Sequence, residues 1–135
     1  MAELVFDNVF LSLDGTDLSD HVRQVTLTYQ AELQDKTAMS DNTRSRLGGL
    51  KDWSLSVEFN QDFAASEVDV TIFSLVGTTF TVILRPDAGS VSTTNPNYTG
   101  TGILEEYTPI GGSVGDVAIA PITIQAAGDL SRATS

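Results

Sequence analysis

The sequence contains no cysteine, and His21 is the one histidine among its 135 residues. Without cysteine the chain cannot form a disulfide bond, a thiolate metal site or a cysteine nucleophile. An isolated histidine does not supply a histidine-rich metal site or a serine-histidine-aspartate triad, so we interpret His21 as a structural or surface residue. We therefore expect no catalytic residue, no metal and no cofactor.

Basic residues are also scarce, with 7 Lys and Arg against 18 Asp and Glu and a formal net charge of −11. Proteins that bind nucleic acid neutralise phosphates with Lys and Arg, so the overall charge excludes binding of this kind. An acidic protein can still lie close to nucleic acid without adhering to it. The simpler interpretation is that the excess charge keeps the protein soluble.

Long apolar runs are missing as well. No segment approaches the ~20 apolar residues that a transmembrane helix needs. The first residues include the acidic Glu3 and Asp7 and lack the basic region of a signal peptide. We expect a soluble chain that makes no membrane contact and is intracellular when made.

The clearest pattern lies in residues 50–63, where apolar and polar side chains alternate. The apolar positions are Trp53, Leu55, Val57 and Phe59. A period of two places all four on one face of a strand, and burial of each contributes about 1.5–3 kcal/mol. We predict that they form the centre of the core.

The same alternation predicts further strands over residues 9–13, 25–29, 80–84, 98–107 and 117–126. Pro121 cannot donate to a sheet ladder, which places the last of these strands at an edge or a bulge. The residues from 130 to 134 read as a short polar tail.

One helix is predicted over residues 66–76. Ser66 and Asp69 have the spacing of a capping box, Ile72 and Leu75 belong to one apolar face, and Gly77 follows at the C-terminal end. The chain is therefore expected to form a single domain, residues 1–135, that is mainly β: a β-sandwich or barrel with one flanking α-helix and a long loop.

The long loop is residues 30–49, where the periodicity disappears. Four of the seven basic residues lie in or beside it, namely Lys36, Arg44, Arg46 and Lys51. Between residues 36 and 51 the one acidic residue is Asp41, and a flexible, locally basic segment on an acidic body is suited to contact with an acidic surface. The alternative is an ordinary solvated loop.

Motifs that would indicate catalysis are not found. There is no nucleophile elbow and no glycine-rich phosphate loop. The adjacent Glu105 and Glu106 would point to opposite faces of a strand, which does not suit acid–base chemistry. Asp62 and Glu67 lie near the start of the predicted helix, where the helix dipole favours a carboxylate. We do not expect an enzyme.

Four stretches of the chain, taken in order, resemble the tail tube (major tail) proteins of bacteriophages with long, non-contractile tails. They are Leu18-Ser19-Asp20-His21-Val22 leading into Val25-Thr26-Leu27; Arg44-Ser45-Arg46-Leu47-Gly48-Gly49-Leu50-Lys51-Asp52-Trp53-Ser54-Leu55; Asn95-Pro96-Asn97-Tyr98-Thr99-Gly100; and Ala127-Gly128-Asp129-Leu130-Ser131-Arg132. Each stretch is a weak signal alone, but they occur in order and are spread along most of the chain, from Leu18 to Arg132.

The resemblance implies a structural virion protein whose copies join into a ring, usually a hexamer, and whose rings stack into a hollow tube through which DNA passes. It implies tail tip, tail terminator and tape measure proteins as further partners, a location in the virion tail, and assembly in the host cytoplasm. The loop of residues 30–49 would reach the neighbouring ring. Its contact residues would be Lys36, Met39, Asp41, Thr43, Arg44 and Arg46.

A second function remains open at this point: a β-sandwich module that binds carbohydrate or another surface ligand. Carbohydrate sites need exposed aromatic side chains as platforms. The one tryptophan, Trp53, lies on the apolar face of the best strand, which favours the first interpretation.

Overall fold

The computed structural model describes residues 9–64 and 67–134, which form an antiparallel β-sheet with one short α-helix. The strands are β1 (Phe10–Leu13), β2 (Thr16–Asp17), β3 (Val22–Asp35), β4 (Arg46–Asn60), β5 (Thr79–Arg85), β6 (Asn97–Tyr107) and β7 (Ile119–Ala133). Helix α1 (Val68–Phe73) follows β4, and a 3₁₀ helix (Ser19–His21) joins β2 to β3. In the described residues, no helix has the length and apolar character needed to cross a membrane.

The strand order is β2-β1-β5-β6-β7-β4-β3, and every neighbouring pair is antiparallel. Although β3 and β5 lie far apart in that order, Val25 of β3 and Leu84 of β5 line the same groove. The sheet must therefore curl, so that it forms an open barrel around one core. This mainly β architecture with one helix confirms the fold class expected from the sequence.

The core contains all six side chains that the apolar patterns had selected for it. Trp53, Leu55, Val57 and Phe59 lie on β4, Ile72 lies on α1 and Leu75 follows α1; all are buried. The Trp53 side chain also donates a hydrogen bond from Nε1 to the carbonyl oxygen of Gly128, 2.9 Å away. That bond satisfies the one polar atom of a buried indole.

The indole of Trp53 fits because two residues of β6 lack side chains. A Cβ added to Gly100 would lie 2.8 Å from Cζ2 of Trp53. One added to Gly102 would lie 2.5 Å from Cγ2 of Ile124 and 3.0 Å from Cη2 of Trp53. The two glycines are therefore required by packing, since any larger residue would compete with the indole for space.

Helix α1 is shorter than the predicted range of residues 66–76. The predicted cap, Ser66, lies outside the described residues; the structure has Glu67 at the N-cap, without a capping bond from its side chain. At the other end the chain leaves the helix to join the sheet. Gly77 has a φ of 79° and donates its N–H to the carbonyl of Leu104. This sheet contact ends the helix early.

The tyrosine at the end of β6 connects the sheet to α1. The hydroxyl of Tyr107 donates to Oδ1 of Asp69, 2.7 Å away, and accepts a hydrogen bond from Nε2 of Gln61 at 3.0 Å. Burial raises the pKa of Tyr107 to about 12, and the neighbouring Asp69 carboxylate acts in the same direction. The phenol thus stays protonated and remains a donor.

Residues 30–49 do not form a long loop, which corrects the sequence-based expectation. Strand β3 continues to Asp35 and β4 begins at Arg46, so only residues 36–45 lie between the strands. Paired backbones form these strands although neither face is buried. Because neither face is buried, the sequence need not alternate between apolar and polar residues, and the pattern that predicts a strand is missing.

The C-terminal part of β7 is a second correction. Residues 130–133, expected to be a polar tail, pair with β6 from Gly100↔Leu130 to Asn97↔Ala133. Pro121 lies in an interior strand, opposite Glu58 of β4, and not at an edge. It is tolerated because β6 leaves the ladder just before it; the carbonyl of Pro121 accepts a bond from the backbone N–H of Thr108.

The Trp53→Ala variant should lose about 3–5 kcal/mol of unfolding free energy, the range for removal of a large buried aromatic side chain. Trp53→Phe keeps a ring but removes the hydrogen bond to the Gly128 carbonyl, a loss of about 0.5–1.5 kcal/mol because Gly128 is exposed and water can replace the donor. Urea unfolding followed by circular dichroism measures both, because the variants lack the one tryptophan. A loss below ~1 kcal/mol for Trp53→Ala would contradict the buried position.

Gly102→Ala should destabilise the fold by about 1–3 kcal/mol, since the new methyl group meets Ile124 and Trp53. Gly48→Ala is the matched control: Gly48 also lies in a strand, but nothing is within 4 Å of its added Cβ. We expect the control to change stability by no more than about 0.5 kcal/mol. Equal effects of the two substitutions would show that the Gly102 packing constraint is absent.

Candidate self-assembly surface

The β3–β4 hairpin extends beyond the core as a two-stranded arm, residues 30–52. Its strands pair from Gln30↔Asp52 to Asp35↔Arg46, and almost every residue in the arm is exposed. Six strand residues on the β3 side correspond to a length of about 20 Å. The arm is thus a projection without a core of its own.

Apolar side chains of the arm lie open to solvent. Tyr29, at the base, and Leu33 are on the same face of β3 as the half-buried Val25 and Leu27, because alternate residues share a face. Their exposed fractions are 53% and 61%, and that of Leu50 on β4 is 81%. The core-facing surface of β3 therefore continues past the body as an uncovered apolar stripe.

A bulge interrupts the arm between its apolar residues. The pairing jumps from Ala31↔Lys51 to Leu33↔Gly48, which leaves an extra residue on β4. At this point Gly49 lies close to β3: an added Cβ would be 3.1 Å from the carbonyl oxygen of Glu32. Bulges increase the local twist of a hairpin, so this one determines the direction of the outer arm.

The tip of the arm, residues 36–45, is fastened by side chains. The hydroxyl of Thr37 accepts the backbone N–H of Ser45 at 2.7 Å, and Oδ1 of Asp35 accepts the N–H of Thr37 at 2.9 Å. Further along, Oδ2 of Asp41 accepts the N–H of Ala38 at 2.8 Å. These bonds satisfy the turn without any burial.

The Asp35 carboxyl is the electrostatic centre of this tip. The hydroxyl of Thr37, then its backbone N–H, and to a smaller degree the Arg44 guanidinium lower the pKa of Asp35 below its ordinary value of 3.8. Nη1 of Arg44 lies 2.8 Å from Oδ2 of Asp35, and both side chains are largely exposed. The ionised form of Asp35 is therefore favoured in the folded tip.

The structure places the six predicted contact residues in or beside the tip. Met39 is fully exposed, and Lys36 and Thr43 are also exposed. Arg44 forms an ion pair with Asp35 of its own chain, so its charge is already partly neutralised before any contact with another copy. Arg46 belongs to β4, not to a loop. The arm's positive charge is therefore partly compensated within the arm.

The charge of the arm differs from that of the body. Residues 30–52 contain four acidic and four basic residues, so the whole net charge of −11 is carried by the rest of the chain. An arm of zero net charge can approach the acidic body of another copy without net repulsion, whereas two acidic bodies repel each other.

Sequence reasoning missed a second exposed feature, the outer edge of β3. In the described sheet β3 pairs with β4 on one side only, and the opposite end of the sheet is the two-residue β2. A 14-residue edge strand presents unpaired backbone groups to a partner. No sequence signal marks it, because edge and interior positions are decided by strand order.

Trp53 does not provide a carbohydrate platform, since its indole is 2% exposed. The exposed aromatic side chains in the described residues include Tyr29, Phe63 and Phe73. They lie on β3, in the loop after β4 and on α1, respectively. The one tryptophan is therefore buried, and an exposed tryptophan that would favour a carbohydrate-binding module is lacking.

No protein-family model matches this chain, and no curated protein matches its sequence. Solved structures do share its fold. One is a chain in the virion of a native gene transfer agent (GTA) particle, with a TM-score of 0.71 and 22% identity over 96% of this chain and 98% of that one. Another belongs to the tail of an empty GTA particle with C6 symmetry, with a TM-score of 0.65 and 22% identity over 92% of both chains.

A third structure with this fold is that of the SPP1 tail tube. Its TM-score is 0.76 at 10% identity, over 98% of this chain and 80% of that one. The structural similarity to these three chains covers 92–98% of this chain although the sequences are only 10–22% identical. The chain therefore has the tail-tube fold, as the sequence resemblance implied.

The pKa of Asp35 should be below 3.8, and Thr37→Val should raise it more than Arg44→Gln does, because the Thr37 hydroxyl is the larger cause. A folded-state pKa below the unfolded value means that the ionised carboxylate stabilises the tip above the unfolded pKa. That contribution is lost as the pH falls through the folded pKa. Titration of the Asp35 carboxyl carbon by NMR measures the shift; an unshifted value in the parent chain would contradict the described tip.

Proposed function

We propose that this chain is the subunit of a phage-type tail tube: copies assemble into rings, the rings stack into a hollow tube, and DNA passes through it during infection. The observation that carries the proposal is the exposed arm of residues 30–52 on a fold shared with chains of assembled tails. The role is structural and requires no catalytic residue or cofactor.

The arm supplies the first physical argument for assembly. A two-stranded hairpin is at best marginally stable in water, because it buries little apolar surface. This one also exposes Leu33 and Leu50. Contact with another copy would remove both side chains from water, at about 25 cal/mol for each Å² buried. We infer that the arm lies on the body of a subunit in the next ring.

The edge of β3 supplies the second argument. Exposed strand edges lead to uncontrolled association unless they are covered. A closed ring covers the edge of every subunit with a different surface of the next one, which is a heterologous contact that ends when the ring closes. We propose six copies in a ring, following the C6 symmetry of the GTA tail.

The negative net charge of the chain supplies the third argument. A tube wall built from an acidic protein repels phosphates, so DNA would slide through without adhering to it. A tube must also end and have a defined length. We therefore propose tail tip and tail terminator proteins at its two ends, a tape measure protein inside it during assembly, assembly in the host cytoplasm, and the virion tail as its final location.

Removal of the arm should separate folding from tube formation. Replacing residues 32–50 with Asn-Gly joins Ala31 to Lys51, which already face each other, through a two-residue type I′ turn. We expect this variant to keep a β-type circular dichroism spectrum and to melt close to the parent, because nearly all of the deleted residues are exposed. Negative-stain microscopy should show tubes for the parent and none for the variant.

The exposed apolar side chains of the arm can be tested with the arm in place. Leu33→Ser with Leu50→Ser removes two exposed apolar side chains, and Gln30→Ser with Gln34→Ser is a matched control on the other face of β3. The first pair should shorten or abolish tubes, and the control should not. Tubes of normal length from the arm-deleted protein would overturn the inter-ring role of the arm, and a parent that remains monomeric at high concentration would overturn the tube itself.

A further inference from the structure

We propose that His21, Asp62 and Glu67 form a binding site for a divalent transition-metal cation. They come from the 3₁₀ helix, the loop after β4 and the N-cap of α1. Nε2 of His21 lies 2.5 Å from Oε2 of Glu67 and 3.8 Å from Oδ2 of Asp62. One donor atom from each residue lies within 4.8 Å of the others.

The donor atoms are held in place by the surrounding backbone. Oδ1 of Asp62 accepts the N–H of Ala64 at 2.9 Å, which directs Oδ2 towards His21. Glu67 occupies the N-cap of α1 but does not use its carboxylate to cap the helix. Ligating carboxylates in metal sites are typically oriented by such secondary hydrogen bonds. The His21 ring is 15% exposed, so its position is fixed by packing.

The charges around the imidazole are not balanced by the protein. Oδ1 of Asp20 also lies 3.6 Å from Nε2 of His21, so three carboxylates surround one nitrogen. That nitrogen can donate at most one hydrogen bond. Within residues 9–64 and 67–134, no Lys or Arg forms an ion pair with these carboxylates. A bound cation would supply the missing positive charge.

One nitrogen and two carboxylate oxygens favour particular ions. Imidazole is a good ligand for Zn²⁺, Ni²⁺ and other transition metals, whereas Mg²⁺ and Ca²⁺ prefer oxygen ligands. Two donors on one tetrahedral Zn²⁺ lie about 3.3 Å apart, given metal–ligand distances of about 2.0–2.2 Å. The distances from Nε2 of His21 to Oε2 of Glu67 and to Oδ2 of Asp62, 2.5 Å and 3.8 Å, lie on either side of that value. Small rotations of the three side chains would therefore place their donor atoms at coordination distance from one ion. Water would fill any remaining position.

A cation at this site would join two segments that are distant in sequence. His21 precedes β3, and Glu67, the N-cap of α1, lies 46 positions further along the chain. A ligand that binds only the folded chain stabilises it, so metal should raise the melting temperature. The site is separate from the arm, and its test does not depend on tube formation.

The test uses the full chain, purified without a histidine tag and stripped with EDTA. ZnCl₂, NiCl₂, CoCl₂, MnCl₂, MgCl₂ and CaCl₂ are compared by isothermal titration calorimetry and thermal melting. We expect one Zn²⁺ per chain and a rise in Tm of about 5–10 °C at a hundredfold excess over Kd, with little response to Mg²⁺ or Ca²⁺. Co²⁺ should give a visible absorption spectrum that reports on its ligands.

His21→Gln, Asp62→Asn and Glu67→Gln should each weaken Zn²⁺ binding at least tenfold. The control is Asp116→Asn, which removes an exposed carboxylate outside the cluster and should leave binding unchanged. Loss of the Co²⁺ spectrum in a variant that still melts cooperatively separates a lost site from a lost fold. No binding by the parent chain, or binding that the three substitutions leave intact, would overturn the proposal.

Discussion

The indole of Trp53 connects three adjacent strands, and the arrangement of the body depends on that contact. Trp53 projects from β4, donates to the carbonyl of Gly128 on β7, and lies against Gly100 and Gly102 on β6. A slip of one residue in β4 would turn Trp53 away from the core and bring Ser54 into its place. The size of the indole and the absence of two side chains opposite it thus select one register for the centre of the sheet.

Strands β3 and β4 line part of the core and also continue into the arm. Different interactions stabilise the two parts. In the body, β4 is stabilised by buried side chains such as Leu55 and Phe59. Beyond Trp53 it is stabilised by backbone pairing and by the polar bonds of the tip. The arm therefore has a firm base and an exposed apolar surface. This combination is suited to contact with another protein surface.

Strands that face the core were predictable, and those that do not were missed. The alternation from Trp53 to Phe59 predicts its strand because one face is buried. Residues 30–35, 46–49 and 130–133 are strands without such alternation, because their pairing, not burial, determines their conformation. Helix α1 was predicted too long, since propensity gives no indication that the chain joins Leu104 of the sheet after Phe73.

The sequence by itself determined the mainly β class, the core around Trp53, the acidic body and the position of the exposed segment. These follow from local period, composition and charge, which need no knowledge of neighbours. Only the tertiary structure decided that Arg44 is paired with Asp35, that β3 is an edge of the sheet formed by the described residues, and that His21 lies beside Asp62 and Glu67. The physical reason is that such contacts depend on how distant segments approach in space, which the order of residues along the chain does not specify.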